Sequence, residues 1–124
     1  MEEEKLSTMV LAAAFRVHSR LGPGLLESVY QRVLAYELIE DGLAVEVEKW
    51  IPIFYDELRF EEGYRADLIV EKKILLELKS VETLLPVHAK QVLTYLRLSN
   101  LRIGILVNFG EAHLRTGIKR LVNG

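Results

Sequence analysis

The chain contains no cysteine among its 124 residues. That excludes disulfides, thiolate zinc sites, iron–sulfur clusters and cysteine nucleophiles together, so any bound metal must be held by oxygen or imidazole. A long apolar run is also missing. The uncharged stretch near the start, Met9 to Phe15, falls far short of the ~20 residues that a membrane helix needs. The acidic Glu2-Glu3-Glu4 before it has the wrong sign for a secretory leader, so no membrane association and a cytoplasmic location are expected. Nor is there a strong charge of either sign: 16 basic and 18 acidic residues leave a net −2, which does not advertise nucleic-acid binding.

What is present is enough apolar material for a core. Half of the residues are hydrophobic and 27% are charged, which is the composition of a folded globular chain rather than a disordered one. The length suits one domain, taken as residues 1–124. The near-neutral total hides a division at Glu77. Residues up to Glu77 carry 9 basic and 16 acidic side chains, and those from Leu78 onward carry 7 basic and only 2 acidic.

Leu6, Met9, Val10, Ala13 and Val17 recur at helical spacing and are stopped by Gly22-Pro23-Gly24. Leu25, Leu26, Val29, Val33, Leu34 and Leu38 predict a second helix ending at Asp41-Gly42. Ala44 to Tyr55 alternates like a strand, with Pro52 marking an edge or a bulge. Arg65 to Val70 and Ile74 to Lys79 follow as two strands of a hairpin. Pro86 opens a third helix that runs to about Asn100, and Arg102 to Val107 is a further strand. The tail from Glu111 to Asn123 reads as either a short helix or a strand, so the chain is expected to be one α/β domain of order ααβββαβ plus a short C-terminal element.

The register of the hairpin decides its chemistry. A three-residue turn at Glu71 to Lys73 pairs Val70 with Ile74, which sets Leu68 opposite Leu76 and Ala66 opposite Leu78 on one apolar face. On the other face it sets Asp67 opposite Glu77 and Arg65 opposite Lys79. Carboxylates held directly across two strands have Cβ atoms ~4.5–5.5 Å apart and repel unless a cation lies between them. A hard divalent ion suits that position, because Mg²⁺ is commonly held by one or two carboxylates plus water and phosphate oxygens. The alternative is a solvated strand pair with Lys79 balancing charge. It is weakened by the apolar run Leu75-Leu76-Glu77-Leu78, in which an unpaired charge is costly.

Asp67 followed by Glu77-Leu78-Lys79 at the end of the next strand resembles the signature of the PD-(D/E)XK nuclease superfamily. Gly24-Leu25-Leu26-Glu27-Ser28-Val29-Tyr30 and Gln91-Val92-Leu93-Thr94-Tyr95 add a closer resemblance to the small "GxxExxY protein" family, over about Leu6 to Leu121. The resemblance implies a restriction-endonuclease-like core, a central mixed β-sheet flanked by helices. It implies that Asp67 and Glu77 bind Mg²⁺ or Mn²⁺ with the Leu78 carbonyl, and that Lys79 orients or deprotonates the attacking water. Glu27 would serve as an outer ligand, and Gln91 and Tyr95 would fix Lys79 and the phosphate. Ala66 stands where the family has a proline before the acidic residue.

Plainer roles remain open for several of these residues. Glu27 in a first helical turn is favourable against the helix dipole, and Gln91 and Tyr95 also fit an ordinary helix-surface pair. Tyr30 is expected to pack in the core with its hydroxyl met locally. His88 could touch a phosphate or the metal but also fits a surface residue in a first helical turn, His18 and His113 are assigned nothing, and Trp50 suits packing or an edge contact. Two functions are then weighed. One is a nuclease acting on DNA or RNA, with Lys90, Arg97, Arg102, Arg115, Lys119 and Arg120 meeting the backbone. The other is a non-catalytic module of the same fold that binds nucleic acid or a protein partner, for which a homodimer or a partner would complete the cleft.

Overall fold

A computed structural model describes residues 1–124. Helix α1 (Glu3–Leu21) buries Leu6, Val10, Ala13, Ala14 and Val17, the positions set by its 3.6-residue period. Helix α2 (Glu27–Glu40) buries Tyr30, Leu34, Ala35 and Leu38. The two are fastened at their surface by Arg16, which meets both Glu37 and Asp41. Strands β1 (Val45–Tyr55), β2 (Leu58–Val70) and β3 (Ile74–Lys79) follow, then helix α3 (Pro86–Ser99), strand β4 (Ile103–Asn108), a single 3₁₀ turn at Leu114–Gly117, and strand β5 (Ile118–Val122).

The five strands form one sheet in the order β1-β2-β3-β4-β5. Only β3 and β4 run parallel, because α3 carries the chain back between them; the other neighbours are antiparallel. Strands β3 and β4 are buried almost throughout, which is why they read as continuous apolar runs instead of alternating ones. Helices α1 and α2 close one face over Leu68, Val70, Leu76, Leu78, Ile105 and Val107. Helix α3 closes the other with Val92 and Leu96 over Ile69, Leu75 and Leu106. It lies so close that a Cβ on Gly104 of β4 would come within 2.7 Å of Val92, so this position requires glycine. No helix is long and apolar enough to cross a membrane.

The mixed α/β architecture and the order of its elements are as the sequence predicts, with three refinements. Strand β2 begins at Leu58 instead of Arg65, because Leu58 to Gly63 pairs with β1 as an exposed ribbon that needs no apolar alternation. The ambiguous tail resolves into the 3₁₀ turn and an antiparallel edge strand on β4. Helix α2 starts at Glu27 rather than directly after Gly24, with Leu26 at its N-cap and no side-chain cap.

Candidate active site

The β2–β3 turn adopts the three-residue form, with Glu71 and Lys72 both left-handed (φ 54° and 55°). It fixes the register at Val70↔Ile74, Ile69↔Leu75 and Leu68↔Leu76. Past Leu68 the backbone ladder stops and side chains replace it. The Leu78 N–H donates to Asp67 Oδ2 at 2.8 Å, and the Asp67 N–H donates to Glu77 Oε1 at 3.4 Å. The Asp67 carbonyl accepts from Gln31 Nε2 of α2 at 3.3 Å. Each strand therefore satisfies the other with a carboxylate, and the two acids are held across a local splay of the sheet.

This geometry corrects the extrapolated pairing of Ala66 with Leu78 and Arg65 with Lys79. Ala66 and Tyr64 pack on the α3 side of the sheet, while Leu68, Val70 and Leu78 pack on the α1–α2 side. The pleat is interrupted at Asp67. Glu48, which the β1–β2 register sets opposite it, takes a positive φ of 51°, and the regular alternation cannot pass through such a residue.

Both carboxylates are raised above the ordinary carboxylate range. For Glu77, only 9% exposed, burial is the larger cause and the charge of Asp67 the next, and together they push it up to about 8. Asp67 rises through burial and the charge of Glu27, against the opposing pull of the Leu78 N–H and Lys79. Half-buried Lys79 at the end of β3 is the cation whose field counters both acids, yet its ammonium forms no ion pair. The buried Glu77 and the half-buried Asp67 therefore keep their protons more readily than ordinary carboxylates, and a bound cation would displace those protons and take up the negative charge. The donor set is all oxygen, which fits a hard divalent ion. In a strand the C=O of a residue points to the same side as its N–H, so the Leu78 carbonyl turns toward Asp67 as well. No three Asp, Glu or His side chains converge into a closed ligand cage, so such an ion would keep several water or substrate ligands.

A cleft of about 230 Å³ opens beside Asp67 and Leu78, walled by Glu27, Ser28 and Gln31 from α2 and by Glu48 and Arg65 from β1 and β2. Glu27 is exposed at the helix start, placed to enter the cleft without joining the acid pair. The spacing Gly24, Glu27, Tyr30 has a local explanation. Gly24 takes φ 98° in the loop, and the buried Tyr30 hydroxyl donates to the Gly22 carbonyl at 2.5 Å and accepts from the Leu25 N–H at 3.1 Å. With its ring stacked on Phe109 at 4.4 Å, Tyr30 ties down the loop that presents Glu27.

On the other face Tyr95 stacks on Tyr64 with ring centroids 4.0 Å apart. Its phenol is raised by burial and by the charges of Glu77 and Asp67, which puts it within the field of the acid pair. Gln91, one turn earlier, is exposed and makes no hydrogen bond, so the expected link to Lys79 is not formed. His88 is a cap: its Nδ1 accepts from the Leu85 N–H at 3.0 Å. The six cations expected to form a phosphate surface are divided. Arg102 and Arg120 pair with Glu3 and Glu4 of α1. Lys90 and Arg97 border a groove on α3 that is closed by Val122, Asn123 and Gly124. Arg115 lies by His18 and His113, and Lys119, next to Arg120 on β5, forms no ion pair.

Sequence reasoning missed Gln31 and Arg65 as cleft residues. Gln31 sits one helical turn after Glu27, a polar residue among the buried positions of α2, and Arg65 lies two residues before Asp67 on its strand. A family model described as the PD-(D/E)XK nuclease superfamily matches residues 4–121. No curated protein and no solved structure matches the chain.

Proposed function

The chain belongs to the PD-(D/E)XK nuclease superfamily, and on that premise we propose that it is a nuclease that hydrolyses phosphodiester bonds of DNA or RNA at Asp67, Glu77 and Lys79. The observation that carries this reading is the interlocked pair of acids, Glu77 buried and Asp67 half-buried, with a free lysine at its edge. Asp67 and Glu77, with the Leu78 carbonyl, would hold Mg²⁺ or Mn²⁺. When bound there, the ion would polarise a phosphoryl oxygen and acidify a water.

The chain's own groups do the rest. Lys79 orients the attacking water, accepts its proton or, when charged, steadies the negative charge that develops on the phosphoryl oxygens. Glu27 holds a water at the mouth of the cleft. The Tyr95 hydroxyl, kept protonated by its raised pKa, can donate to a phosphate oxygen, with Gln91 in reserve one turn away.

The test is cleavage of single- and double-stranded DNA and RNA by purified protein with Mg²⁺ or Mn²⁺, beside Asp67→Asn and Lys79→Ala. Loss of at least two orders of magnitude in both variants is expected. Equal cleavage by all three would remove the assignment, and nucleic-acid binding without cleavage in the wild type would favour a binding module.

A further inference from the structure

The cleft does not end at Arg65. Strands β1 and β2 run on past it as a two-stranded ribbon that packs against no helix beyond Ile53 and Gly63, and its exposed side chains follow a pattern. Trp50 is paired directly across the strands with Arg65, and Phe54 directly with Arg59. In each pair the guanidinium lies over the ring, at 5.8 Å for Arg65 on Trp50 and 4.9 Å for Arg59 on Phe54. The aromatic rings are 45% and 60% exposed. Neighbouring Ile51 and Tyr64 turn to the α3 side. The alternation of a strand therefore sends Trp50 and Arg65 to the opposite side, where Arg65 forms part of the cleft wall.

Trp50 and Phe54 lie four residues apart along β1, roughly 13 Å at the rise of an extended strand and enough for two separate bases, and the pairing with β2 shifts register between them at Ile51 and Ile53. We propose that this ribbon is a track for an unpaired nucleic-acid strand, on which bases stack on Trp50 and Phe54 while Arg65 and Arg59 meet the flanking phosphates and lead the strand to Asp67. The proposal rests on the nuclease reading for its direction into the cleft. An unpaired strand is favoured over a duplex because an aromatic platform needs a free base face, which pairing and stacking hide.

The arginines are already engaged, Arg65 with Glu48 at 3.5 Å and Arg59 with Glu61. All four of these side chains are close to half exposed or more, and exposed pairs of this kind contribute little, so a phosphate can take the place of the carboxylate. A second copy of the chain fits less well. A stable interface needs ~800 Å² per partner with an apolar centre, whereas this stripe alternates ring and charge.

Trp50 is the only tryptophan, so its fluorescence reports on the track alone. Wild type and Asp67→Asn are titrated with a 12-nucleotide oligothymidylate in EDTA, which allows binding without metal. Both should be quenched, with Phe54→Ala weakening binding on the order of tenfold. Arg65→Ala should lower the slope of affinity against salt by about one contact. Both substitutions are at exposed positions, and a circular dichroism spectrum matched to wild type shows that the fold is kept. Binding without quenching, tighter binding of the same sequence as a duplex, or fluorescence that changes with protein concentration alone would each overturn the track. Quenching without Mn²⁺-dependent cleavage leaves the track standing and removes the nuclease reading, while cleavage without quenching does the reverse.

Discussion

Glu77→Gln should stabilise the metal-free protein at neutral pH. The glutamate is 9% exposed, and burial beside Asp67 lifts it from 4.5 to about 8. A raised carboxyl pKa means that the folded state holds a proton which the unfolded state has released. Its contribution is then most favourable below pH 4.5 and is lost as pH rises toward about 8. At 1.36 kcal/mol per pH unit, the loss by pH 7 reaches about 3 kcal/mol as an upper figure, and relaxation around the charge leaves on the order of 2. Glutamine keeps an oxygen to accept the Asp67 N–H and carries no charge. The assay is urea unfolding in EDTA at pH 5, 6, 7 and 8. The wild-type midpoint should fall with rising pH by about 1 M urea more than that of Glu77→Gln, since a domain of this size has a slope of ~1–3 kcal/mol per molar. Mn²⁺ should recover the difference at pH 8 in the wild type and much less in the variant. A wild type that gains stability from pH 5 to 8, or a variant that follows the same curve, would refute the reasoning.

Two further outcomes test the supports of the site. Gln31→Leu removes the donor to the Asp67 carbonyl and should cost about 1–3 kcal/mol in unfolding free energy, with cleavage reduced because Asp67 is less firmly placed. Unchanged stability and activity would show that the bond at 3.3 Å contributes nothing. Asn108, fully buried at the end of β4, accepts from the Val81 and Gly110 N–H groups and donates to the Val81 carbonyl, which pins the chain just after Lys79. Asn108→Ala should lower stability by about 2–4 kcal/mol in thermal or urea unfolding, and a loss below about 1 would contradict that role.

The two acids were legible in the sequence because a short turn between apolar runs admits one register, and that register brings Asp67 to Glu77. The boundaries of α1, β3 and α3 were legible for the same reason: Gly22, the Leu75-Leu76 run and Pro86 are strong local signals. The positive φ of Glu48 was not, since a glutamate in an alternating strand carries no mark of strain. The alternation of β2 breaks opposite that residue, with Ala66 packed on the α3 side and both Glu48 and Arg65 lining the cleft. The division of the basic half was hidden as well. Charge counts cannot tell that Glu3 and Glu4, a hundred residues away in sequence, draw Arg102 and Arg120 to α1. Gln91 looked like a partner of Tyr95 from its spacing alone, but only Tyr95 turns into the stack with Tyr64.

The most direct test of the site is a crystal soaked in Mn²⁺ and measured at the manganese absorption edge. The arrangement of Asp67, Glu77 and the Leu78 carbonyl predicts one anomalous peak between the two carboxylates, with oxygen distances of about 2.1 Å, and no such peak in Asp67→Asn. A wild-type map with no peak there, or with manganese bound only elsewhere on the chain, would contradict it.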